Sequence, residues 1–315
     1  MRKRKNQILR LRRGDRLETD NAGMGEIAAQ HFTDLLGTPV EREHSLDLSR
    51  LGLSQVDMAD LDRPFSEKEI WEVIKGMPAD KAPGPDGFSA RFYQSCCPTI
   101  RDAVMRAVHA FDSADGRGFA RLNGAYITLL PKKEDALDIA DYRPISLIPS
   151  FAKIIPKAMA TRLASVLSEL VDRNQSAFIK ERSIQDNFFL VHQSVKTLHR
   201  RKMPSMLLKL DMAKAFDSIA WPFVFEVLRH RGCGPKWLAR FALMLSSATS
   251  KVLINGVPGP QFSHAKGFRQ GDSLSPMKFV VMVDVLNAVF KLAEEAGVFL
   301  THFAVGHKTS AISIC

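Results

Sequence analysis

The strongest structural signal in this 315-residue chain is Met206-Leu-Leu-Lys-Leu-Asp211-Met-Ala-Lys-Ala-Phe-Asp217. An apolar run that stops at a carboxylate predicts a strand over Met206–Asp211, with Asp211 at its end. Burying that carboxylate is costly unless it is paired, hydrogen-bonded or bound to a metal. Two interpretations of Asp211 therefore stay open, a metal ligand or the cap of a strand-to-helix turn. Asp217 shares a face with Asp211 only if the strand continues that far.

Downstream lies a second polar block, Gly267-Phe-Arg-Gln-Gly-Asp-Ser-Leu-Ser-Pro276. Its glycines let the backbone approach a ligand closely, and Arg269 and Gln270 offer donors that suit phosphate and sugar oxygens. A purely structural turn is the other interpretation. Both blocks would occupy loops at the ends of regular elements.

Hydrophobic periodicity assigns helices and strands to most of the remaining chain. Ser66-x-x-Glu69 is a capping box that starts a helix, and Asn255-Gly256 predicts a hairpin turn. Further strands are predicted at Ala125–Leu130 and Asp141–Ile148, and further helices at Phe92–Phe111, Ile154–Leu170, Trp221–Arg231 and Met277–Ala296. Pro156 interrupts the Ile154–Leu170 helix unless that helix begins there.

Outside these elements, the sequence predicts connecting segments. Residues 14–63 are polar and are interpreted as a linker with one short helix around Glu26–Leu36. Lys81-Ala-Pro-Gly-Pro-Asp-Gly87 cannot continue a helix or a central strand, so it is a shaped loop that begins with a cation. Lys132, Lys133 and Arg143 lie near strand ends, where they either hold a triphosphate or stay solvated.

Composition and charge narrow the class of partner. The chain is 45% hydrophobic and 25% charged, as in ordinary globular proteins, and its net charge of +10 favours a polyanionic partner. Eight of the basic residues fall within residues 1–16, an arm that binds phosphates, acts as a nuclear address or stays solvated. No apolar run is long enough for a membrane span, and four cysteines without C-x-x-C spacing predict a soluble protein in an intracellular compartment, nuclear or cytoplasmic.

Six blocks in order resemble the reverse transcriptase of non-LTR (LINE-type) retrotransposons, particularly those of plant genomes. They are Lys81–Gly87, Ile127-Thr-Leu-Leu-Pro-Lys-Lys133, Tyr142-Arg-Pro-Ile-Ser-Leu147, Asn174-Gln-Ser-Ala-Phe-Ile179 with Arg182-Ser-Ile-Gln-Asp-Asn187, Leu210–Asp217 and Gly267–Pro276. The resemblance implies an α+β right-hand polymerase fold with fingers, an incomplete palm and no thumb. It divides the chain into a basic arm and linker (1–63), a helical N-terminal extension (64–120) and a reverse transcriptase domain (121–315), with fingers over 121–204 and partial palm over 205–315.

The resemblance also implies roles for individual residues. Asp211 matches the catalytic and metal-binding Asp of a site that uses two Mg²⁺ ions. Phe216 matches the aromatic gate below the incoming sugar, and Gln270 with Gly271 matches the motif that contacts the nucleotide. Nucleotide binding is further implied for Lys132 and Arg143, and template binding for Lys81 and Arg269. The implied partners are an RNA template, a DNA primer and deoxynucleoside triphosphates.

One expected motif is missing from the sequence. The family's third palm motif carries Ala-Asp-Asp, but no Asp-Asp dipeptide occurs here, and Ala311-Ile-Ser-Ile-Cys315 resembles the strand that leads into it. Asp272 and Asp284 are poor substitutes because one lies in a Gly-rich turn and the other within a helix. We therefore expect a truncated chain with an incomplete Mg²⁺ site and little activity alone, completed by a missing palm and thumb segment. The alternative is a non-catalytic nucleic-acid-binding remnant or pseudogene product.

Overall fold

Residues 6–113, 117–204, 207, 210, 212 and 214–298 are described by a computed structural model. Within them the helices are α1 Asn21–Phe32, α2 Glu67–Lys75, α3 Ala90–Asp112, α4 Arg117–Leu122, α5 Ser150–Leu170, α6 Ile184–Arg200, α7 Trp221–His230, α8 Pro235–Ser246 and α9 Ser275–Glu295. The strands are β1 Leu11–Arg13, β2 Arg16–Glu18, β3 Gly124–Pro131, β4 Tyr142–Leu147, β5 Thr249–Ile254 and β6 Val257–Ser263. No helix in this part of the chain is long and apolar enough to cross a bilayer.

The larger sheet combines strands that are far apart in the sequence. Its order is β4-β3-β5-β6, with β3 antiparallel to β4 and parallel to β5. The hairpin predicted at Asn255-Gly256 is confirmed, because both residues have the positive φ that such a two-residue turn requires, 52° and 91°. The strands predicted at Ala125–Leu130 and Asp141–Ile148 are confirmed as β3 and β4, so the mixed α and β character holds.

The N-terminal segment packs on this sheet. Ile8, Leu11, Met24 and Phe32 are buried in one apolar cluster with side chains of β3, β5 and β6. The Asn255 side chain also bonds both the N–H and the C=O of Ile8, at 2.9 and 2.8 Å. The interpretation of residues 14–63 as a linker is therefore wrong, because α1 and its neighbours supply half of this core. The predicted short helix exists but begins earlier, at Asn21.

Residues 48–65 belong to the main helical core. Leu48, Met58, Leu61 and Phe65 are buried among side chains of α2, α5, α7 and α8. Arg240 holds this segment by donating to the carbonyl oxygens of residues 61, 62 and 63. A polar composition hid these contacts, because a few large apolar residues between charged ones are enough to anchor an irregular chain.

The helix predictions are mostly confirmed, with one correction. Ser66 caps α2 by accepting a hydrogen bond from the Glu69 N–H at 3.2 Å. The break at Pro156 does not occur: α5 begins at Ser150 and continues through the proline. Only the intrahelical bond to the Ala152 carbonyl is lost, and extensive burial of α5 offsets it. The strand at Met206–Asp211 falls largely outside the described residues, as do Ala311–Cys315 and basic residues 2–5.

Candidate functional site

The two polar blocks of the sequence meet in the structure. The N–H groups of Gly267 and Phe268 each donate a 2.8 Å hydrogen bond, to Ile219 O and Phe216 O. A Cβ on Gly267 would lie 2.8–2.9 Å from backbone atoms of Phe216 and Asp217, and its φ is +71°. Glycine is therefore required at this position both by the backbone conformation and by the close approach. Trp221 adds a third contact by donating its indole N–H to Gly267 O at 2.8 Å.

Phe216 lies at the centre of this junction. Its ring stacks on Phe279 of α9, with centroids 4.6 Å apart and an interplanar angle of 24°. Stacking of this kind fixes the ring while leaving it partly exposed. Beside it, burial raises the pKa of the Asp217 carboxyl, and Lys214 opposes that shift. Asp211 itself lies outside the described residues, so its predicted role stays a prediction.

Gln270 and Gly271 form an exposed turn next to strand β4. Gly271 has a φ of +97°, and a Cβ there would lie 3.5 Å from Ser146 O. The Gln270 side chain is exposed and makes no hydrogen bond to any other described residue. The turn therefore exposes the side-chain amide of Gln270 to solvent beside the β3–β4 hairpin.

The predicted finger cations lie at one end of that hairpin. Leu130 pairs with Arg143, and the ladder continues through Lys132 N–H, which donates to Asp141 O at 2.8 Å. Lys132 and Arg143 are therefore diagonal neighbours on one face, about 7–8 Å apart. Lys133 is instead paired with Asp141 at 2.9 Å, and this hydrogen bond lowers the pKa of that carboxyl. Lys133 thus has a carboxylate partner and Lys132 has none among the described residues, and nucleotide binding by Lys132 stays a prediction.

Arg269 is directed inward and not toward solvent. Its guanidinium donates to the backbone and side-chain oxygens of Asn123, the first at 2.8 Å. Burial lowers the pKa of Arg269 to about 10, and the nearby Asp272 opposes the shift. This arrangement gives Arg269 a positioning role for the 267–276 block. Template binding by its side chain stays a prediction.

Lys278 is a buried cation whose environment the sequence did not reveal. Its ammonium lies 3.4 Å from Asp272 and 4.5 Å from the ring centroids of Phe241 and Phe268. Desolvation lowers its pKa, and Asp272 partly compensates. Asp272 also accepts from Leu274 N–H and Ser275 O–H at the start of α9. Asp272 thus makes structural contacts both with the start of α9 and with Lys278.

The Lys81–Gly87 loop packs on the junction between β4 and α5. A Cβ on Gly84 would lie 2.3–2.6 Å from backbone atoms of Ile148 and Pro149, so only glycine fits. Ser150 fixes the end of the loop by donating to Phe88 O at 2.8 Å. Lys81 is exposed, and its charge together with burial lowers the pKa of Lys153. Lys81 is therefore close to Lys153, which lines a pocket together with Asn123, Trp221, Arg269 and Lys278.

The described residues alone do not assemble a magnesium site. Among them, no group of three or more His, Cys, Asp or Glu side chains comes together in a way that could hold a metal ion. Asp284, the other excluded substitute, is buried in an ion pair with Arg231.

Comparison with known proteins supplies the missing context. Residues 130–304 match the family described as reverse transcriptase (RNA-dependent DNA polymerase), which is more than half of the chain. The chain belongs to the reverse transcriptase family. It is a reverse transcriptase domain of the non-LTR retrotransposon type. Members of this family generally depend on divalent metal ions.

Three relatives illustrate the similarity. A transposon TX1 uncharacterized 149 kDa protein of Xenopus laevis is 31% identical over 225 residues, 71% of this chain and 17% of that protein. A Pol polyprotein from the type-1 retrotransposable element R2 of Nasonia vitripennis is 25% identical over a region that covers 80% of this chain and 24% of that protein. The RNA-directed DNA polymerase from mobile element jockey of Drosophila funebris is 29% identical over a region that covers 61% of this chain and 21% of that protein. The chain thus spans about a fifth of the length of these curated relatives.

Proposed function

We propose that this reverse transcriptase chain supplies the nucleotide-binding and template-facing surface for RNA-templated DNA synthesis. The observation that carries the proposal is the junction between residues 214–219 and 267–271, in which Phe216 bonds the backbone of Phe268 and the Gln270–Gly271 turn of the same block lies beside Ser146 of β4. An incoming deoxynucleoside triphosphate would place its sugar over Phe216 and its phosphates near Lys132 and Arg143.

The hairpin cations give this proposal its sharpest test. The Lys132 ammonium donates to the Ala140 carbonyl oxygen at 2.8 Å and has no carboxylate partner among the described residues, whereas Lys133 is paired with Asp141. A charge-assisted hydrogen bond to phosphate is worth roughly 1.5–3 kcal/mol, or about a tenfold or larger change in affinity. We expect Lys132→Gln and Arg143→Gln to weaken equilibrium binding of a deoxynucleoside triphosphate by about tenfold. Lys133→Gln, the matched control, should change it by less than about twofold. Equal effects of the two lysine variants would remove the basis for the assignment.

Catalysis by the 315 residues alone is not expected. The resemblance assigns further catalytic carboxylates to an Asp-Asp motif, and the sequence has no such dipeptide. With Asp211 as its one assigned ligand, a two-ion Mg²⁺ site would lack the carboxylates that bridge the ions. We expect no primer extension on an RNA template by the purified chain with Mg²⁺. Extension that Asp211→Asn abolishes would show that other carboxylates complete the site.

A nucleic-acid-binding remnant is the second candidate function. Exposed arginines on the β1–β2 hairpin and the net charge of +10 favour it. This function predicts that the chain binds RNA and that Lys132→Gln lowers nucleotide affinity no more than Lys133→Gln does. The comparison of these two variants in nucleotide binding therefore separates the two functions.

A further inference from the structure

A pocket lies where helices α5, α7, α8 and α9 meet the block of residues 267–276. Much of its wall is apolar and comes from α5, α8 and the segments next to them, namely Ile148, Ala152, Pro156, Met244, Leu245 and Ala248. Walls of this kind lower the local dielectric constant, so a charge inside the pocket interacts with its neighbours more strongly than a charge at the surface does.

The charged side chains that line the pocket are mostly cations. Lys153, Arg269 and Lys278 share it with a single carboxylate, that of Asp272. His264 also lines the pocket, but it is neutral near pH 7 because burial and the charge of Arg269 lower its pKa to about 3. With both lysines protonated, three positive charges and one negative charge give the described lining a net charge of +2.

Asp272 cannot compensate all three cations. Its carboxylate lies 3.4 Å from the Lys278 ammonium and accepts two further hydrogen bonds at the start of α9. The Arg269 guanidinium donates to the backbone and side-chain oxygens of Asn123, and both of these acceptors are neutral. Buried positive charge without a counter-ion is costly, so this lining would be stabilised by additional negative charge.

Lys153 provides donors that no other described residue uses. Its side chain is half-buried, and its ammonium makes no hydrogen bond or ion pair within the described part of the chain. Burial and the nearby charge of Lys81 lower the pKa of Lys153, while Asp86 opposes the shift. A protonated lysine carries three N–H donors, so Lys153 can bind an anion without breaking an existing contact.

The limited access to the pocket restricts the size of its occupant. Lys278 is 3% exposed, which leaves no room for a phosphate group attached to a nucleotide or to a nucleic-acid strand to reach its ammonium. A monatomic anion is little larger than a water molecule and meets no such restriction. We propose that the pocket lined by Lys153, Arg269 and Lys278 binds a single small inorganic anion, with chloride as its representative.

Chloride NMR of the full chain, recorded without nucleotide, tests this proposal with a matched pair of variants. Lys153→Met removes a charge from the pocket and keeps an unbranched side chain, whereas Lys157→Met removes an exposed charge one turn further along α5. Loss of a charge-assisted hydrogen bond corresponds to about a tenfold or larger change in affinity. We expect the parent chain to broaden the chloride resonance and Lys153→Met to weaken chloride binding by about tenfold. Lys157→Met should change it by less than about twofold.

A second variant and a second measurement keep the test independent of any folding defect in Lys153→Met. Lys278→Met removes another cation of the pocket and should also weaken chloride binding by about tenfold. Replacing gluconate by chloride at constant ionic strength should raise the urea midpoint of the parent chain, because a ligand that binds the folded state stabilises it. This rise should disappear in Lys153→Met, whose cooperative unfolding would show that the variant is folded.

Two results would overturn the proposal. A parent chain that neither broadens the chloride resonance nor gains stability in chloride compensates its buried charge in another way, for example by deprotonating a lysine. Equal losses for Lys153→Met and Lys157→Met would assign chloride binding to diffuse surface charge. Because neither measurement includes a nucleotide, failure of this proposal leaves the proposed function unaffected.

Discussion

At the residue scale, Gly267 lets the two sequence blocks of the candidate site meet because it has no side chain. Gly256 provides a matched control: its φ is also positive, at +91°, but nothing lies within 4 Å of the Cβ it would gain. We expect Gly256→Ala to cost about 1 kcal/mol of unfolding free energy from backbone strain alone. Gly267→Ala should cost more than about 3 kcal/mol, because its Cβ would also clash with the backbone of residues 216 and 217. Chemical denaturation of both variants measures the difference, and equal losses would contradict the packing argument.

Lys278 and Asp272 form a buried ion pair, and we expect substitution of Asp272 to lower the free energy of unfolding more than substitution of Lys278. Asp272→Asn removes the carboxylate that compensates both Lys278 and Arg269, leaving two buried cations. We expect a loss of roughly 3 kcal/mol or more. Lys278→Met keeps the volume of the side chain and leaves Asp272 with its hydrogen bonds to residues 274 and 275, so stability should change by less than about 1 kcal/mol. Urea unfolding near pH 7 distinguishes the two, and a larger loss for Lys278→Met would contradict this account.

His264 makes stability depend on pH in the acidic range. Burial and the charge of Arg269 lower its pKa to about 3 from 6.5, and its ring shares a 2.8 Å hydrogen bond with Ser250. The unfolded chain therefore binds a proton more readily, so stability falls as pH decreases from 6.5 toward 3, by up to about 1.4 kcal/mol per unit. His264→Gln should flatten this dependence in unfolding curves measured from pH 7 to pH 4. A slope that is unchanged in the variant would show that other groups cause it.

At the element scale, the β5–β6 turn holds the N-terminal segment as well as its own strands. Asn255 makes three side-chain hydrogen bonds, two to Ile8 and one to Asn21. Asn255→Gly preserves the positive φ of the turn and removes all three bonds. We expect hydrogen exchange of residues 6–18 to accelerate about tenfold or more while β3 and β5 stay protected. The replacement Asn255→Asp keeps the acceptor for the Ile8 N–H, so its exchange rates for residues 6–18 should lie between those of the parent chain and of Asn255→Gly. Uniform acceleration across the sheet would instead indicate global destabilisation.

This element also shows where prediction from sequence succeeds and fails. The Asn-Gly turn and the Ser66 cap were predicted because each depends on neighbouring residues. The packing of residues 8–65 was missed because its contacts join positions as distant as Ile8 and Asn255. Likewise, Pro156 has a local cost that suggests a helix boundary, but the tertiary burial of α5 outweighs it. Local rules therefore identify elements, whereas long-range burial decides which polar segments belong to the core.

At the scale of the whole molecule, the candidate site combines recognisable blocks with unrecognised supports. Resemblance identified the blocks that meet around Phe216 and Gly267. The residues that hold them, Asn123, Trp221 and Lys278, carry no motif, and their roles follow only from the folded geometry. Likewise, only the ion pair with Asp141 distinguishes Lys133 from Lys132. A resemblance can thus indicate which blocks form the candidate site more readily than which side chains hold those blocks in place.

The distribution of charge leads to a prediction for RNA binding by the whole chain. Arg10, Arg12, Arg13 and Arg16 are exposed on or beside the β1–β2 hairpin, which is fixed to the sheet through Ile8 and Leu11. Each phosphate contact on single-stranded RNA contributes about −0.7 to the slope of log K against log[salt]. Replacing the four arginines by glutamine should therefore reduce the slope by up to about 3 while preserving the fold. The control replaces Lys68, Arg106, Arg229 and Lys236, which are exposed elsewhere and change the net charge equally. If both sets flatten the slope to the same extent, the arm contributes only through net charge and does not form a localised RNA contact.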